Sequence, residues 1–345
     1  MRRFLLAVPA LALALVLGST PAYACGGLIG PNGAVLLTRT TTFAGYHAGV
    51  EHYVTAFSYA GGGGAFGSLT PLPGVPSDVE RGGDWTLQRL VRETSPILKF
   101  APTLLGAASA RDAVQVLLEK RIDALDITVL KGGGAAVGDW AKEHGFRLPP
   151  DAPEVLDFYA KRSPIFLAAV FDSAAAAKRG QNIGDGTPVH ITIPTPNPWV
   201  PLRILGLGKL SGERVDADVF LLTDHRPALL PVADRSRGLL LEHDDVATAS
   251  LLSDLRADKG MSWIPQSGWL TKLRVDATAG QLSYDLAIDA SGQNAPSRVA
   301  AGFAPSFIPF VPDDPSWIWP VALSGGYVIA GIALLAMRRR IGVAA

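Results

Sequence analysis

The sequence predicts a mixed α+β fold in which antiparallel sheets accompany a central helical layer, followed by one C-terminal transmembrane helix. Residues 34–72, 164–222 and 271–290 contain short strand-like runs, and side chains alternate between two faces within 50–57 and 271–290. Within residues 84–162, apolar residues recur at helical spacing. Residues 318–337 form a run of 20 uncharged residues, which is long enough to cross a bilayer as a helix.

The N-terminus carries the pattern of a secretory signal peptide, residues 1–24. Arg2 and Arg3 precede a short apolar stretch, and the motif AYA that ends at Ala24 supplies the small residues that a signal peptidase requires. We therefore expect cleavage between Ala24 and Cys25. An uncleaved membrane anchor is the alternative, which the shortness of the apolar stretch disfavours.

The C-terminus predicts a single transmembrane helix at residues 317–337. Trp317 and Trp319 lie near its start, where aromatic residues meet the membrane interface, and three arginines follow it directly. Because basic residues stay on the cytoplasmic side, residues 338–345 are predicted to be a cytoplasmic tail. The protein is thus expected in the cell membrane as a single-pass protein with its N-terminus outside. A buried helix of a soluble fold is the alternative.

Between these ends, residues 25–290 predict an extracytoplasmic α+β domain, and residues 291–316, rich in Pro, Ser and Ala, predict a stalk. Two intimate subdomains, 25–162 and 163–290, are an alternative division. The chain has 31 basic and 31 acidic residues, and five of the basic ones lie in the signal and tail. The ectodomain is therefore slightly acidic and has no basic stripe, which argues against nucleic acid as a partner. The expected partners are the membrane and an envelope protein, and no cofactor is predicted.

The first part of the domain, residues 34–72, predicts a meander of three strands. The first two are "AVLLTRTTTFAGY" and "VEHYVTAFSYA", separated by the turn "HAG". The third is "AFGSLTPL", which the proline-rich "PLPGVP" ends because proline cannot donate to a sheet ladder.

Residues 84–162 predict the helical layer, interrupted by the strand "DITVLK". Helices are expected after Asp84, after a capping box of Ser109 and Asp112 as far as Ile122, between Trp140 and Gly145, and after a cap formed by Asp151 and Glu154.

The rest of the domain returns to β-structure. The segments "PIFLAAVFD", "VHITIP", "PLRILGL" and "VDADVFLLTD" are typical of strands, and residues 244–258 predict a helix. Residues 271–290 predict a β-hairpin, because Leu273 and Val275 alternate before a turn and Leu282 and Tyr284 alternate after it.

The segment "HAGVEH" contains the candidate metal ligands His47, Glu51 and His52. These residue types are common ligands of transition metals, and a turn could return His47 over the second strand. However, strand alternation places Glu51 and His52 on opposite faces. Three residues that form only local hydrogen bonds are the alternative.

Two further segments place a histidine beside carboxylates, "DHR" at 224–226 and "EHDD" at 242–245. Such neighbours suit acid–base chemistry, but a loop and an acidic helix N-terminus, respectively, are the alternatives. The glycine-rich runs at 61–64 and 131–140 match no phosphate-binding motif and are typical of turns. The sequence contains neither G-x-S-x-G nor H-E-x-x-H, so no catalytic set is identified.

Six segments together resemble a bacterial exported family known as domain of unknown function 2330: "ACGGLIGPNG", "GVEHYVTAFSY", "FGSLTPLPGVP", "ERGGDWTLQRL", "WAKEHGF" and "PLRIL". The resemblance implies a signal peptide, an ectodomain and often a C-terminal span. It implies no activity, cofactor or catalytic residue. Many members have a second cysteine shortly after C-G-G, where this chain has Gly30.

Cys25 is the only cysteine in the chain. It is either a relic thiol that packs as a small apolar side chain, a partner for another thiol, or a lipidated residue. Because no catalytic set converges, the sequence favours a non-enzymatic binding or envelope-associated module. An envelope enzyme or metal-binding protein that uses the His47, Glu51 and His52 region is the alternative.

Overall fold

Strands form most of the regular structure in the computed structural model, which describes residues 27–30, 33–34, 40–57, 67–94, 115–172, 175, 178–179, 187–289, 292–293 and 295–305. The strands are β1 (Gly27–Gly30), β2 (Gly33–Ala34), β3 (Thr40–His47), β4 (Val50–Phe57), β5 (Gly67–Pro71), β6 (Asp78–Arg81), β7 (Gln115–Ile122), β8 (Leu125–Lys131), β9 (Ile165–Phe171), β10 (Thr187–Pro194), β11 (Trp199–Val200), β12 (Arg214–Thr223), β13 (Ala228–Leu230), β14 (Leu239–Val246), β15 (Trp269–Thr278) and β16 (Leu286–Asp289). The α-helices in these ranges are α1 (Thr86–Thr94), α2 (Gly134–Glu143), α3 (Ala152–Ala160) and α4 (Ala249–Ala257).

The strands form three sheets, which confirms a mixed α+β fold with antiparallel pairing. The orders are β14-β15-β12-β3-β4-β10-β6, β2-β1-β5-β9-β8-β7 and β11-β16-β13. The β3–β12 pair is parallel, and all other pairs are antiparallel. The seven-stranded sheet draws strands from both 25–162 and 163–290, so these halves do not form separate sheets.

The two large sheets face each other across one apolar layer. Tyr53, Val219 and Leu273 from the seven-stranded sheet belong to the same buried cluster as Ile127 and Leu167 from the six-stranded sheet. Alternation along each strand produces this layer, because every second side chain points to the same face.

The helices lie on the outer faces of the two sheets rather than in a central layer. Helices α2 and α3 pack Trp140 and Leu156 against Phe166 of the six-stranded sheet. Helices α1 and α4 pack Leu90 and Leu251 against the opposite face of the seven-stranded sheet. Both sheets therefore bury two faces each, which explains why their central strands are so apolar.

The structure corrects three of the predicted helical or paired elements. Residues 115–122, predicted as the end of a helix, form strand β7, which pairs with β8 across the turn at Asp123, where φ is +53°. Residues 242–245, predicted as a helix N-terminus, lie in strand β14, and α4 starts only after Thr248, whose side chain caps it. The predicted hairpin at 271–290 does not pair with itself: β15 joins β12 and β14, whereas β16 joins β11 and β13.

Smaller corrections concern turns and helix starts. "PLRILGL", predicted as a strand, contains a 3-10 turn at Arg203–Gly206. The helix predicted from Trp140 begins earlier, at Gly134. The amides of Asp84 and Trp85, just before α1, donate to the Asp258 carboxylate at 2.9 Å. The side chain of Asp151 accepts from the amide of Gly208 rather than capping α3.

Several segments of the sequence analysis lie outside the described residues. These are the signal peptide with Ala24 and Cys25, the glycine run at 61–64, the capping box of Ser109 and Asp112, and the span and tail at 317–345. Across the described ranges, we find no helix with the length and apolar character to traverse a bilayer. Part of the predicted stalk packs onto the domain, since Ala300 and Ala301 are buried in the cluster that contains α3.

Candidate functional site

His47, Glu51 and His52, the candidate ligands, lie on the β3–β4 hairpin but point to different places. His47 lies at the exposed end of β3, and its Nδ1 is 2.7 Å from Asp224 Oδ1. Because a carboxylate only accepts, His47 donates this hydrogen bond. Asp224 belongs to the "DHR" segment, so one of the sequence candidates bonds another across 177 positions.

Glu51 points into the layer between the large sheets and is 0% exposed. Its Oε2 accepts from the amide of Trp199 at 3.3 Å, and its Oε1 has no hydrogen-bond partner among the described residues. Burial raises the pKa of Glu51 to about 8, against the effect of the Trp199 amide. The side chain is therefore mainly neutral at pH 7.

His52 points to the opposite face, where it forms a chain of hydrogen bonds with His190 and Glu80. His52 Nδ1 lies 2.9 Å from His190 Nε2, and His190 Nδ1 lies 3.1 Å from Glu80 Oε1. Since the carboxylate accepts, His190 donates through Nδ1 and accepts through Nε2, so His52 must donate from Nδ1. The network thereby assigns one tautomer to each ring and leaves a lone pair on His52 Nε2.

Trp263 covers this histidine pair. Its ring stacks on His52 with 3.9 Å between centroids and 4° between planes. The absence of a side chain at Gly45 makes room for the indole, because a Cβ there would lie 2.4 Å from Trp263 Cη2. Burial, together with the charges of His190 and His47, lowers the pKa of His52 to about 3. Burial likewise lowers the pKa of His190 to about 4, so both rings are neutral near pH 7.

The described residues contain no group of three or more His, Cys, Asp or Glu side chains arranged to hold a metal ion. Glu51 and His52 are on opposite faces of β4, as strand alternation requires, and His47 is engaged by Asp224. The metal hypothesis for these three residues stays a prediction. His190 follows His52 by 138 positions and carries no local sequence signal, so its contribution could not be predicted.

A groove of about 620 Å³ opens where the end of the seven-stranded sheet meets β13 and the segment 295–298. The segments "DHR" and "EHDD" each contribute one residue to this groove, Arg226 and Asp244. The groove is lined by Arg226, Pro227, Ala228, Leu229, Leu230, Val232, Ala233, Leu241, Asp244, Thr271, Ala295, Pro296 and Arg298.

The walls of the groove are mainly apolar and partly open to solvent. Val232 is 71% exposed and Leu241 is 47% exposed, so two large apolar side chains of the lining face solvent. Strand β14, which carries Leu241, is the edge of the seven-stranded sheet, and β13 is an edge of the three-stranded sheet. The groove therefore lies between two strands that each have one unpaired side among the described residues.

Two arginines border the groove, and they differ in their partners. Arg226 Nε donates to Asp244 Oδ2 at 2.7 Å, and Asp244 also accepts from Trp269 Nε1 at 2.6 Å. Arg298 Nε donates to the backbone oxygen of Ala304 at 3.0 Å, with the guanidinium 5.7 Å from the ring centroid of Phe303. Within the described ranges no carboxylate pairs with Arg298, so the groove carries a net positive charge.

The comparison with solved structures finds baculovirus P35. A mutated P35 after caspase cleavage aligns at 8% identity and TM-score 0.40, over 74% of this chain and 98% of that chain. P35 alone aligns at 9% identity and TM-score 0.38, over 72% and 96%. P35 in complex with caspase-8 aligns at 8% identity and TM-score 0.37, over 72% and 95%. Likenesses this weak carry no argument about function.

The comparison with curated proteins finds no match. A family model described as an uncharacterized protein conserved in bacteria, domain of unknown function 2330, matches residues 52–289. This match covers more than half of the chain, including strands of all three sheets, the histidine pair and most of the groove lining. The chain therefore belongs to the bacterial family of domain of unknown function 2330.

Proposed function

We propose that this protein is a membrane-tethered extracytoplasmic binding module that holds a ligand or envelope component in the groove beside β13 and β14. The groove is the observation that supports this proposal. Its volume of about 620 Å³ falls within the range of small-ligand sites, and its apolar walls with two arginines at the border provide both contact area and orientation.

The tether is supported by the sequence at both ends. The signal pattern that ends at Ala24 and the uncharged run at 318–337, followed by arginines, together favour export of the domain and retention in the membrane. In this arrangement the N-terminus is outside and the C-terminus is cytoplasmic.

An enzyme that uses His52 as a general base is the second candidate. It is supported by the lone pair on His52 Nε2, which accepts no hydrogen bond from the described residues, and by the relay to Glu80 behind it. The groove supports the binding module more directly, because the stacked Trp263 covers one face of His52 and a ring whose pKa is lowered to about 3 is a weak base near pH 7.

Native mass spectrometry of the full chain, gently extracted from its own membrane, tests the binding module. We expect a bound species on the wild type that is lost from Val232→Asp, a change inside the groove. The matched control is Leu210→Asp, because Leu210 is 76% exposed and does not line the groove. A wild type that carries nothing, or a species that Val232→Asp retains, would overturn the proposal.

The topology is tested by thiol labelling in spheroplasts. In a Cys25→Ser background, Leu210→Cys should react with a membrane-impermeant maleimide before lysis. Ala345→Cys should react only after lysis. Labelling of both before lysis, or of neither, would contradict the proposed orientation.

A further inference from the structure

We propose that the ligand of the groove is a short, extended peptide segment that bears a carboxylate, pairs with the backbone of Leu229 and places the carboxylate on Arg298. This inference rests on the proposed function, because it takes the groove to be a binding site and names the class of its ligand.

The backbone groups of β13 point alternately toward β16 and away from it. The amide of Ile288 in β16 donates to Pro198 at 3.1 Å, so Ile288 points its backbone toward the β11 side. Because successive residues of a strand point their backbone groups to opposite sides, Ala287 and Asp289 point toward β13. They lie opposite Leu230 and Ala228, whose own backbone groups therefore point back to β16. Leu229 consequently points its N–H and C=O away from β16, toward the groove.

The free edge of β13 is short. Pro227 and Pro231 stand directly before and after β13, and neither has an N–H. Within residues 227–231, Leu229 thus offers the one N–H that faces outward. A long strand cannot add to such an edge, but a single residue of an extended peptide can form the paired N–H···O=C contacts with Leu229.

Apolar residues of the groove surround the backbone of Leu229. Residues 228, 229 and 230 all line the groove, as expected when the edge of a strand faces it. Leu241 of β14 and Val232, which follows β13 in the chain, also line the groove. Side chains of an extended peptide alternate, so one set would contact these apolar residues while the next set reaches the border.

The two arginines of the groove differ in whether their charge is balanced. Arg226 is neutralised by Asp244, whereas Arg298 has no carboxylate partner among the described residues. Its Nε is held by Ala304, and no described group bonds its two Nη atoms. A guanidinium oriented in this way favours a carboxylate, which can accept from both Nη atoms.

The test uses the full chain in detergent and two fluorescein-labelled peptides, Val-Asp-Val-Asp-Val and Val-Lys-Val-Lys-Val. We expect the aspartate peptide to bind at least tenfold more tightly, by fluorescence anisotropy. Arg298→Glu should reverse this preference. The control Arg235→Glu, an exposed arginine outside the groove lining, should leave it unchanged.

The backbone contact is tested by Leu229→Pro, which removes the outward N–H without removing a bond to β16. Leu229→Ala is the matched control, since it also loses the leucine side chain but keeps the N–H. We expect Leu229→Pro to weaken binding of the aspartate peptide at least tenfold relative to Leu229→Ala. If Leu229→Pro does not fold, as judged by circular dichroism, the inference is tested by the peptide preference of Arg298→Glu alone.

Three results would overturn the inference: no binding of the aspartate peptide, a preference that Arg298→Glu does not change, or equal binding by folded Leu229→Pro and Leu229→Ala. A dodecanoate probe separates this failure from that of the proposed function. If dodecanoate binds and Val232→Asp abolishes its binding, the groove is a binding site for an amphiphile and only the peptide assignment falls. If no probe binds and the native protein carries no species, both fall.

Discussion

His52 Nδ1 and His190 Nε2 lie 2.9 Å apart and share one proton, although the two residues are 138 positions apart in the chain. Glu80 fixes the direction of this hydrogen bond by accepting from the far side of His190. The pair is therefore stable as two neutral rings, and protonating either ring places a charge where burial opposes it.

Acid should destabilise the protein through this pair. The pKa of His190 falls from its ordinary value of 6.5 to about 4 on folding, so the unfolded chain binds more protons below pH 6.5. The contribution of His190 to the free energy of unfolding is therefore fully present above that pH and decreases toward pH 4. At pH 5 the loss is roughly 2 kcal/mol. Urea unfolding at pH 7.5 and pH 5 measures this loss. His52→Asn should reduce it, whereas the exposed His225→Asn should not, and equal losses in all three proteins would contradict the assignment.

Glu51→Gln should stabilise the fold at alkaline pH. Because folding raises the pKa of Glu51 from 4.5 to about 8, its contribution to stability is complete below pH 4.5 and is lost as the pH rises through 8. A glutamine keeps an acceptor for the Trp199 amide and does not ionise. The expected gain at pH 8 is on the order of 4 kcal/mol in the free energy of unfolding. The exposed Glu143→Gln serves as the control, and a gain that is the same at pH 5 and pH 8 would refute the explanation.

Asp285→Asn should be strongly destabilising. One oxygen of Asp285 accepts from the amides of Leu202 and Arg203 and from the Tyr159 hydroxyl, and the other accepts from Arg162, which is itself almost buried. An asparagine would turn its NH₂ group toward the Arg162 guanidinium and leave that charge without its anionic partner. We expect a loss of about 3–5 kcal/mol by urea unfolding.

A surface ion pair provides the control for this loss. Asp276 pairs with Arg214 at 3.0 Å, and both side chains are at least one-third exposed. Asp276→Asn should therefore cost less than about 1 kcal/mol. Similar losses for the two variants would show that Asp285 is not the buried centre of its network.

Gly45→Ala should displace Trp263 from the histidine pair. The added methyl would lie 2.4 Å from Trp263 Cη2, so the indole must move away from His52. We expect a loss of about 1–3 kcal/mol and a change in the near-UV circular dichroism of tryptophan. Gly212→Ala adds its methyl where no heavy atom lies within 4 Å, and both readouts should stay unchanged there. An unchanged spectrum for Gly45→Ala would argue against this packing.

Local alternation identified much of the fold from sequence. The strands at 50–57 and 187–194 follow it, whereas the strand at 165–171 is a continuous apolar run because both of its faces are buried. Strand β7 was predicted as a helix because Leu117, Leu118 and Ile122 also match helical spacing, and only the pairing with β8 decides between the two.

Pairing over long distances could not be read from the sequence. Residues 282–285 continue the alternation after β15, so they suggest a hairpin. In the fold, Asp285 is drawn to the amides at 202 and 203, and β16 joins β11 instead. The same limit applies to the candidate site: the two histidines, and the two sides of the groove, meet only because the sheets are complete.

The position of strand β3 limits where a recombinant fragment of this chain can begin. The family match begins at residue 52, inside β4, and so omits residues 40–47. Yet β3 is the middle strand of the seven-stranded sheet, with β12 on one side and β4 on the other. A fragment cut at the family boundary would divide that sheet into two open halves and expose an apolar edge on each. Recombinant fragments should therefore begin no later than Thr40.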